Sequence, residues 1–305
     1  MFDKSRLRGI ITPMVTPLLA DETLDVAGTR RLVRYLLGAG VHGLFVLGST
    51  GEFPRLTDKT REHAIEVVVE EANGRVVVLA GVSDTGTARV IEHAKRAQQA
   101  GADAAVSTLP FPFKLTTPHT QIDYYRTLTE AVEMPWMIYN VPPLIGVGIA
   151  AATFGQLALL LPNLVGAKDS ETVMHLQDTV EFTRATGFRV FQGNEYNLNT
   201  SILMGAAGGT PSPSNLFPAL YVELYNLSVA GRHTEAAALQ SRLNRLVDGL
   251  DAACGDVPSL KWPGVVKEGL AMLGICGVET ARPTVPCTDD DRNVVADVLR
   301  RAGVL

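Results

Sequence analysis

Residues 134–168 read MPWMIYNVPPLIGVGIAAATFGQLALLLPNLVGAK. The stretch opens on one short apolar run, Met134–Asn140, and closes on another, Asn163–Lys168. Both runs are continuous rather than alternating, as expected of parallel strands covered on both faces. Between them Ala151–Leu161 carries its apolar residues at helical spacing. The reading is strand, helix, strand.

The same unit recurs in both directions. Further strand-like runs lie at Ile10–Val15, Val41–Leu47, Arg75–Gly81, Asp103–Thr108, Phe188–Gln192 and, more weakly, Gly208–Ser212. The segments between them have legible helix ends. Asp25 caps the first and Gly38 with Gly40 stops it; Thr57 caps the second, with Thr60 followed by His63 in place of a capping-box acid, and Asn73-Gly74 ends it. Helices also fit Thr85–Ala100, Pro118–Val132, Thr172–Thr186 and Leu198–Gly205. Eight strand–helix units in about 230 residues predict a (β/α)8 TIM barrel over residues 1–230. After Asn215 the strands stop. Leu216–Ala230 reads as the last barrel helix, and His233–Cys254, Trp262–Leu273 and Asp289–Ala302 form a C-terminal helical extension over 231–305, with Gly277–Thr288 as a connection.

Composition narrows the function. Of 305 residues 46% are hydrophobic and 19% charged, enough for a large core and too little charge for disorder. A net charge of -5 and the lack of a basic stretch argue against a nucleic-acid or anionic-membrane partner. The N-terminal residues hold no signal-peptide pattern, and no apolar run is long enough to span a bilayer. Three cysteines, Cys254, Cys276 and Cys287, form no CxxC pair and suit a reducing cytoplasm. The six histidines make no metal-binding pattern, so no metal and no cofactor are expected.

In such a barrel chemistry belongs where strands end and βα loops begin. Three positions stand out there. Gly48-Ser49-Thr50-Gly51-Glu52 follows the second strand, and its small residues let backbone N–H groups turn inward as a nest for a carboxylate or phosphate; a plain flexible turn is the bland alternative. Tyr139 ends the fifth strand, where a phenol can face the barrel mouth or merely cap a packed ring. Lys168 ends the sixth, where it either pairs with a neighbour such as Asp169 or, desolvated, presents a free amine that attacks a ketone. Taken together they make a minimal kit for a 2-oxo acid: hold its carboxylate, condense its keto carbon as an imine, and move protons.

In that order and near those spacings, GSTGE (48–52), YNVP (139–142) and GAKDS (166–170) resemble the dihydrodipicolinate synthase/N-acetylneuraminate lyase family of pyruvate-type aldolases, over essentially the whole chain. The resemblance implies that Lys168 is the Schiff-base lysine and Tyr139 the proton-transfer residue. It further implies that Ser49 relays protons, that the Ser49 and Thr50 amides between Gly48 and Gly51 grip the substrate carboxylate, that Thr210 turns a carbonyl toward the imine, and that the chain assembles as a homotetramer.

Departures from the pattern point away from lysine biosynthesis. Where those synthases carry an arginine for the carboxylate of the aldehyde, this chain has Leu144, which forfeits a charge-assisted contact. Where they offer a relay tyrosine after the fourth strand, it reads Leu109-Pro110-Phe111-Pro112-Phe113, and Tyr124 and Tyr125 have no assignable place. The loop Gly193-Asn194-Glu195-Tyr196-Asn197 partly matches the acids with which sialic acid lyases hold sugar hydroxyls, and Lys168-Asp169-Ser170 is closer to enzymes of 2-keto-3-deoxy sugar acids or 4-hydroxy-2-oxo acids. Phe53, Phe111 and Phe113 could line an apolar pocket for an aromatic aldehyde or, equally, only pack the loop or a subunit interface. Three other readings compete: a dihydrodipicolinate synthase proper; a family member that binds a 2-oxo acid without turning it over; and a nicotinamide-dependent oxidoreductase, for which Gly146-Val147-Gly148-Ile149-Ala150-Ala151 supplies a loose G-x-G-x-x-A and Asp169 a ribose-binding acid.

Overall fold

The computed structural model describes residues 2–305. Eight parallel strands close into a barrel in sequence order: β1 (Gly9–Pro13), β2 (Gly43–Val46), β3 (Val77–Gly81), β4 (Ala104–Ser107), β5 (Trp136–Asn140), β6 (Leu164–Asp169), β7 (Arg189–Gln192) and β8 (Gly208–Gly209), with β8 pairing back to β1. Outside them run α1 (Val26–Gly38), α2 (Asp58–Ala72), α3 (Thr87–Gln99), α4 (Pro118–Ala131), the single turn α5 (Pro142–Ile145), α6 (Ala151–Leu160), α7 (Val173–Thr183), α8 (Leu198–Leu203) and α9 (Pro218–Val229). The expected (β/α)8 barrel is the observed one. Its last strand is shorter than the sequence suggests, because Ser212–Asn215 winds into a 3-10 turn.

The helix caps follow from local chemistry. Asp25 accepts from the Gly28 N–H and Thr57 from the Thr60 N–H, while Asn73 takes the left-handed conformation that ends α2. Three more helices, α10 (His233–Cys254), α11 (Pro258–Met272) and α12 (Asp289–Ala302), complete the chain. Helix α11 starts four residues before the expected Trp262 and runs through Pro263. Pro258 opens it, since a proline fits the first turn where no N–H bond is needed. Pro263 lacks the N–H that would bond the Ser259 carbonyl, and Arg55 reaches that oxygen instead at 3.4 Å.

Two apolar layers sandwich the sheet. Inside the barrel Ile11, Phe45, Leu79, Val106, Met137, Val165 and Phe191 pack together. Outside it one continuous layer joins strands to helices and runs on into α10, α11 and α12, through Leu243, Leu250, Val266 and Leu299. The C-terminal helices are therefore packed against the barrel rather than appended to it. Among the described residues no helix is long and apolar enough to cross a membrane.

Candidate active site

The inner face reaches Lys168 through an irregularity in β6. Strand β5 pairs Trp136 with Leu164 but Met137 with Gly166, so Val165 is an extra residue, a β-bulge. Val165 faces the interior and so does the barrel-mouth side of the strand after it; Ala167 packs outside. Without the bulge, alternation from Val165 would turn Lys168 outward. With it, Lys168 stands in register with Tyr139 on one side and Phe191 on the other.

Lys168 is 5% exposed, and its Nζ lies 4.6 Å from the centre of the Tyr139 ring and 5.6 Å from that of Phe45. It has no ion-pair partner among the described residues. The neighbouring Asp169 points the other way: its carboxylate is fully buried, bonded to Asn140 Nδ2 (2.9 Å), the Glu171 N–H (3.2 Å) and His175 Nδ1 (2.8 Å). That geometry removes both the surface-pair reading of Lys168 and the ribose-binding reading of Asp169, whose oxygens are taken. Ile149 of the glycine-rich stretch donates its N–H to Asn140 rather than opening toward a diphosphate.

The Tyr139 hydroxyl meets Ser49 Oγ at 3.0 Å. Ser49 and Thr50 belong to a tight turn closed by Gly51 N–H to Gly48 O (3.0 Å) and Glu52 N–H to Ser49 O (3.0 Å). The N–H groups of Ser49 and Thr50 themselves have no protein partner among the described residues, which leaves two adjacent donors for an anion. Gly51 is required here: a Cβ would come within 2.9 Å of the Met14 carbonyl. Gly48 and Gly51 shape the turn without lining the cavity. Thr50 Oγ1 donates to Ser212 Oγ (2.9 Å), which also accepts from Trp262 Nε1 (2.6 Å). Thr210 is buried at the cavity wall, its N–H bonded to Gln192 O at 2.8 Å.

These groups share one cavity of about 280 Å³, lined by Ser49, Thr50, Tyr139, Lys168 and Thr210 together with Val141, Leu144, Ser170, Gly193, Glu195 and Ser212. One wall comes from the C-terminal helices: Asp251 of α10, and Pro258, Ser259, Trp262 and Pro263 at the start of α11. Sequence reasoning missed this wall, since helical periodicity says nothing about which barrel end a helix covers. It noted Glu195 only as part of a loop that partly matches the acids of sialic acid lyases. Burial raises the Glu195 carboxyl above the usual carboxylate range, with the Lys168 charge opposing the shift, and that of Asp251 rises by burial too. Both carboxyls are among the groups that line the cavity.

Three other groups of side chains lie outside this cavity. Phe53, Phe111 and Phe113 do not line the cavity: Phe53 packs edge-on against Phe111 at 6.2 Å, and Phe113 is 83% exposed. Tyr124 and Tyr125 stand behind β4, bonded to Ser107 Oγ (3.0 Å) and Ser107 O (3.0 Å), outside the site. Among the described residues Asp58, Asp84 and His93 come close enough to suggest a metal, but Arg61 and Arg89 already neutralise those carboxylates at 3.0–3.1 Å.

Comparison with known proteins agrees with this geometry. The model of the dihydrodipicolinate synthetase family matches residues 6–302. The chain belongs to that family. A 4-hydroxy-tetrahydrodipicolinate synthase of Methylobacterium radiotolerans is 33% identical over 99% of this chain and 97% of its own length. An uncharacterized DapA-like lyase of Halobacterium salinarum is 32% identical over 99% and 96%. A solved prophage protein of E. coli K12, belonging to the dihydrodipicolinic acid synthase family and in complex with pyruvate, superposes with a TM-score of 0.91 at 29% identity, covering 98% of this chain and 99% of that one. Family members so named are lyases, and the (β/α)8 barrel with its helical C-terminus is common ground.

Proposed function

We propose that this chain is a Schiff-base lyase of 2-oxo acids, with Lys168 as the amine, Tyr139 and Ser49 as the proton path, and the Ser49 and Thr50 amides as the carboxylate cradle. The supporting observation is the meeting of an unpaired, buried Lys168 with the Tyr139–Ser49 hydrogen bond in one cavity. The amine adds to the keto carbon, and the resulting carbinolamine loses water after taking a proton from the Tyr139 side. The iminium then withdraws the electrons of the adjacent bond. In cleavage the 4-hydroxyl gives its proton to the Tyr139–Ser49 path as the C3–C4 bond breaks and an aldehyde leaves, and the enamine takes a proton back at C3. In dehydration C3 gives up the proton and the enamine expels the 4-hydroxyl, which leaves with that proton as water. Hydrolysis of the imine then returns the amine. No metal is needed for these steps, because the cationic imine is the electron sink. A fixed phenol and serine raise the rate by moving protons over short distances, an effect of typically about 10²–10⁴-fold.

The second half of the substrate is read as a neutral, hydroxylated chain, as in a 2-keto-3-deoxy sugar acid or a 4-hydroxy-2-oxo acid. Leu144 at the cavity wall brings no cation for a second carboxylate, whereas Glu195 and Asp251 offer acceptors for hydroxyls. That choice disfavours a dihydrodipicolinate synthase proper, the activity named for several relatives. A homotetramer is the assembly we infer; Leu159 and Leu160 of α6, Met174 and Phe182 of α7 and Leu203 of α8 are exposed on three successive outer helices, an apolar face that suits contact with another copy. Three unpaired cysteines suit the cytoplasm as its compartment.

Reduction with borohydride in the presence of pyruvate, read by intact mass and peptide mapping, tests the amine. A stable adduct on Lys168 that disappears in Lys168→Ala is expected, followed by pyruvate release from hydroxylated 2-oxo acids. An adduct elsewhere, or turnover by Lys168→Ala, refutes the assignment; an adduct without turnover of any hydroxylated or dicarboxylic 2-oxo acid favours the binding-only reading.

A further inference from the structure

The cradle that would receive the substrate carboxylate is a four-residue turn on a loop, yet it is held from outside the barrel. Glu52, which closes the turn through its N–H to Ser49 O, adopts a left-handed conformation with φ +61°, one that a β-carbon disfavours. Its carboxylate is the reason it stays there. Oε1 accepts from Lys267 Nζ at 2.7 Å, Oε2 from the Ala281 N–H at 2.8 Å, and both charged side chains are fully buried. Lys267 is fixed in turn by the Glu279 carbonyl at 2.7 Å. Lys267 lies on α11, and so does Trp262, whose indole N–H holds Ser212 Oγ, the acceptor of Thr50 Oγ1. One helix of the C-terminal extension therefore grips both the hydroxyl of Thr50, within the free N–H pair, and the carboxylate of Glu52, two residues after it.

We propose that α11 is the positioning element of the substrate-carboxylate cradle, with Lys267 and Trp262 as positioning residues whose tethers to Glu52 and to Ser212–Thr50 aim the Ser49 and Thr50 amides at a 2-oxo acid. The inference rests on the Lys168 reading given above and adds to it the source of the cradle's order. A buried ammonium with a single carboxylate partner leaves that carboxylate uncompensated when it is removed, so Glu52 must take up a proton or turn away. Either change releases a backbone conformation that is unfavourable on its own and splays the two amides. Binding of the carboxylate then weakens, while the amine, the phenol and their spacing on β5 and β6 stay in place.

The test is the pyruvate dependence of borohydride trapping, read as a half-saturating concentration and a limiting rate. Lys267→Met, Trp262→Phe and the double variant Lys267→Met/Glu52→Gln are compared with the charge-keeping Lys267→Arg. Circular dichroism identifies the folded variants, and the double variant, which buries no lone charge, keeps the test open if Lys267→Met alone does not fold. The expected result is a half-saturating pyruvate concentration raised about tenfold or more, with the limiting rate reduced less than threefold, and partial recovery in Lys267→Arg. Folded variants that saturate within twofold of the unsubstituted chain, or that lose limiting rate with unchanged half-saturation, overturn the proposal. Failure of the unsubstituted chain to be trapped at all overturns the Lys168 reading, and this inference with it.

Discussion

Replacing Tyr139 by phenylalanine removes one oxygen and little else. The ring keeps its edge-on contact with Phe45, 5.9 Å between centres, and its face toward Lys168 Nζ at 4.6 Å. The packing of the lysine against the ring is therefore retained. What is lost is the 3.0 Å hydrogen bond to Ser49 Oγ. A neutral hydrogen bond of this type contributes about 1 kcal/mol to stability, so the unfolding midpoint should move little. The chemical cost is much larger. If the phenol supplies the proton that lets water leave the carbinolamine, the rate should fall about 10²–10⁴-fold, a barrier increase of about 2.7–5.5 kcal/mol. The assay is the rate of adduct formation with saturating pyruvate under borohydride, followed by intact mass, beside a urea unfolding curve. Ser49→Ala and the double variant complete a cycle: two groups acting as one path give a double variant little slower than the slower single one. A Tyr139→Phe protein that retains more than a third of the rate, or two losses that multiply in the double variant, would refute the proton path.

Three other perturbations have defined outcomes. Leu144→Arg places a guanidinium at the cavity wall, where a charge-assisted bond of about 1.5–3 kcal/mol should raise affinity for a 2-oxo acid with a second carboxylate by about tenfold or more, measured by competition with pyruvate trapping; no gain means that position 144 does not face the distal substrate. His175 has acceptors at both ring nitrogens, Asp169 Oδ2 at 2.8 Å and Ile149 O at 2.9 Å, so both must donate and the Asp169 hydrogen bond raises its pKa above the ordinary histidine value. A raised folded-state pKa favours the protonated fold: the extra stability is complete below about pH 6.5, the unfolded value, and is lost as pH climbs through the folded value. Urea midpoints should fall between pH 6 and 8 more steeply for the parent chain than for His175→Gln, and equal slopes would contradict the ion pair. Burial pushes the thiols up, Cys254 to about 12 and Cys276 and Cys287 to about 11. Alkylation by iodoacetamide at pH 8 should then run at least about 100-fold slower than for free cysteine, and rapid loss of any of the three thiols would show an opening that the folded chain does not contain.

Much of the architecture was legible because parallel strands buried on both faces cannot hide. Val77–Gly81 and Trp136–Ile138 are apolar without interruption, and the caps at Asp25, Thr57 and Asn73 mark helix ends by hydrogen-bonding rules that need no tertiary context. The early start of α11 was illegible for a defined reason. Pro263 suits the first turn of a helix that starts at Trp262, and only Arg55, 204 residues from Ser259, answers the carbonyl that Pro263 orphans inside the longer helix. The placement of Trp262 and Asp251 in the cavity wall has no sequence signal at all, since it depends on how α10 and α11 dock onto the barrel mouth.

The position of Lys168 carries the same lesson further. A strand read as regular from Val165 sends that side chain into the helical layer, beside Asp169's actual partners, His175 and Asn140. One extra residue opposite the Trp136–Met137 step exchanges the two faces. The carboxylate then goes to the outer layer, where three donors satisfy it, and the amine goes to an inner layer of Phe45, Tyr139 and Phe191 that offers it none. Separation of an adjacent acid and base by a single bulge is what leaves the amine without a counter-ion. Deletion of Val165 removes the extra residue but leaves Gly166–Asp169 in register with Met137–Asn140, so Lys168 should stay inside and a folded variant should still trap pyruvate; a folded variant that no longer traps it would show that the alternation of β6 does not set the facing of the amine.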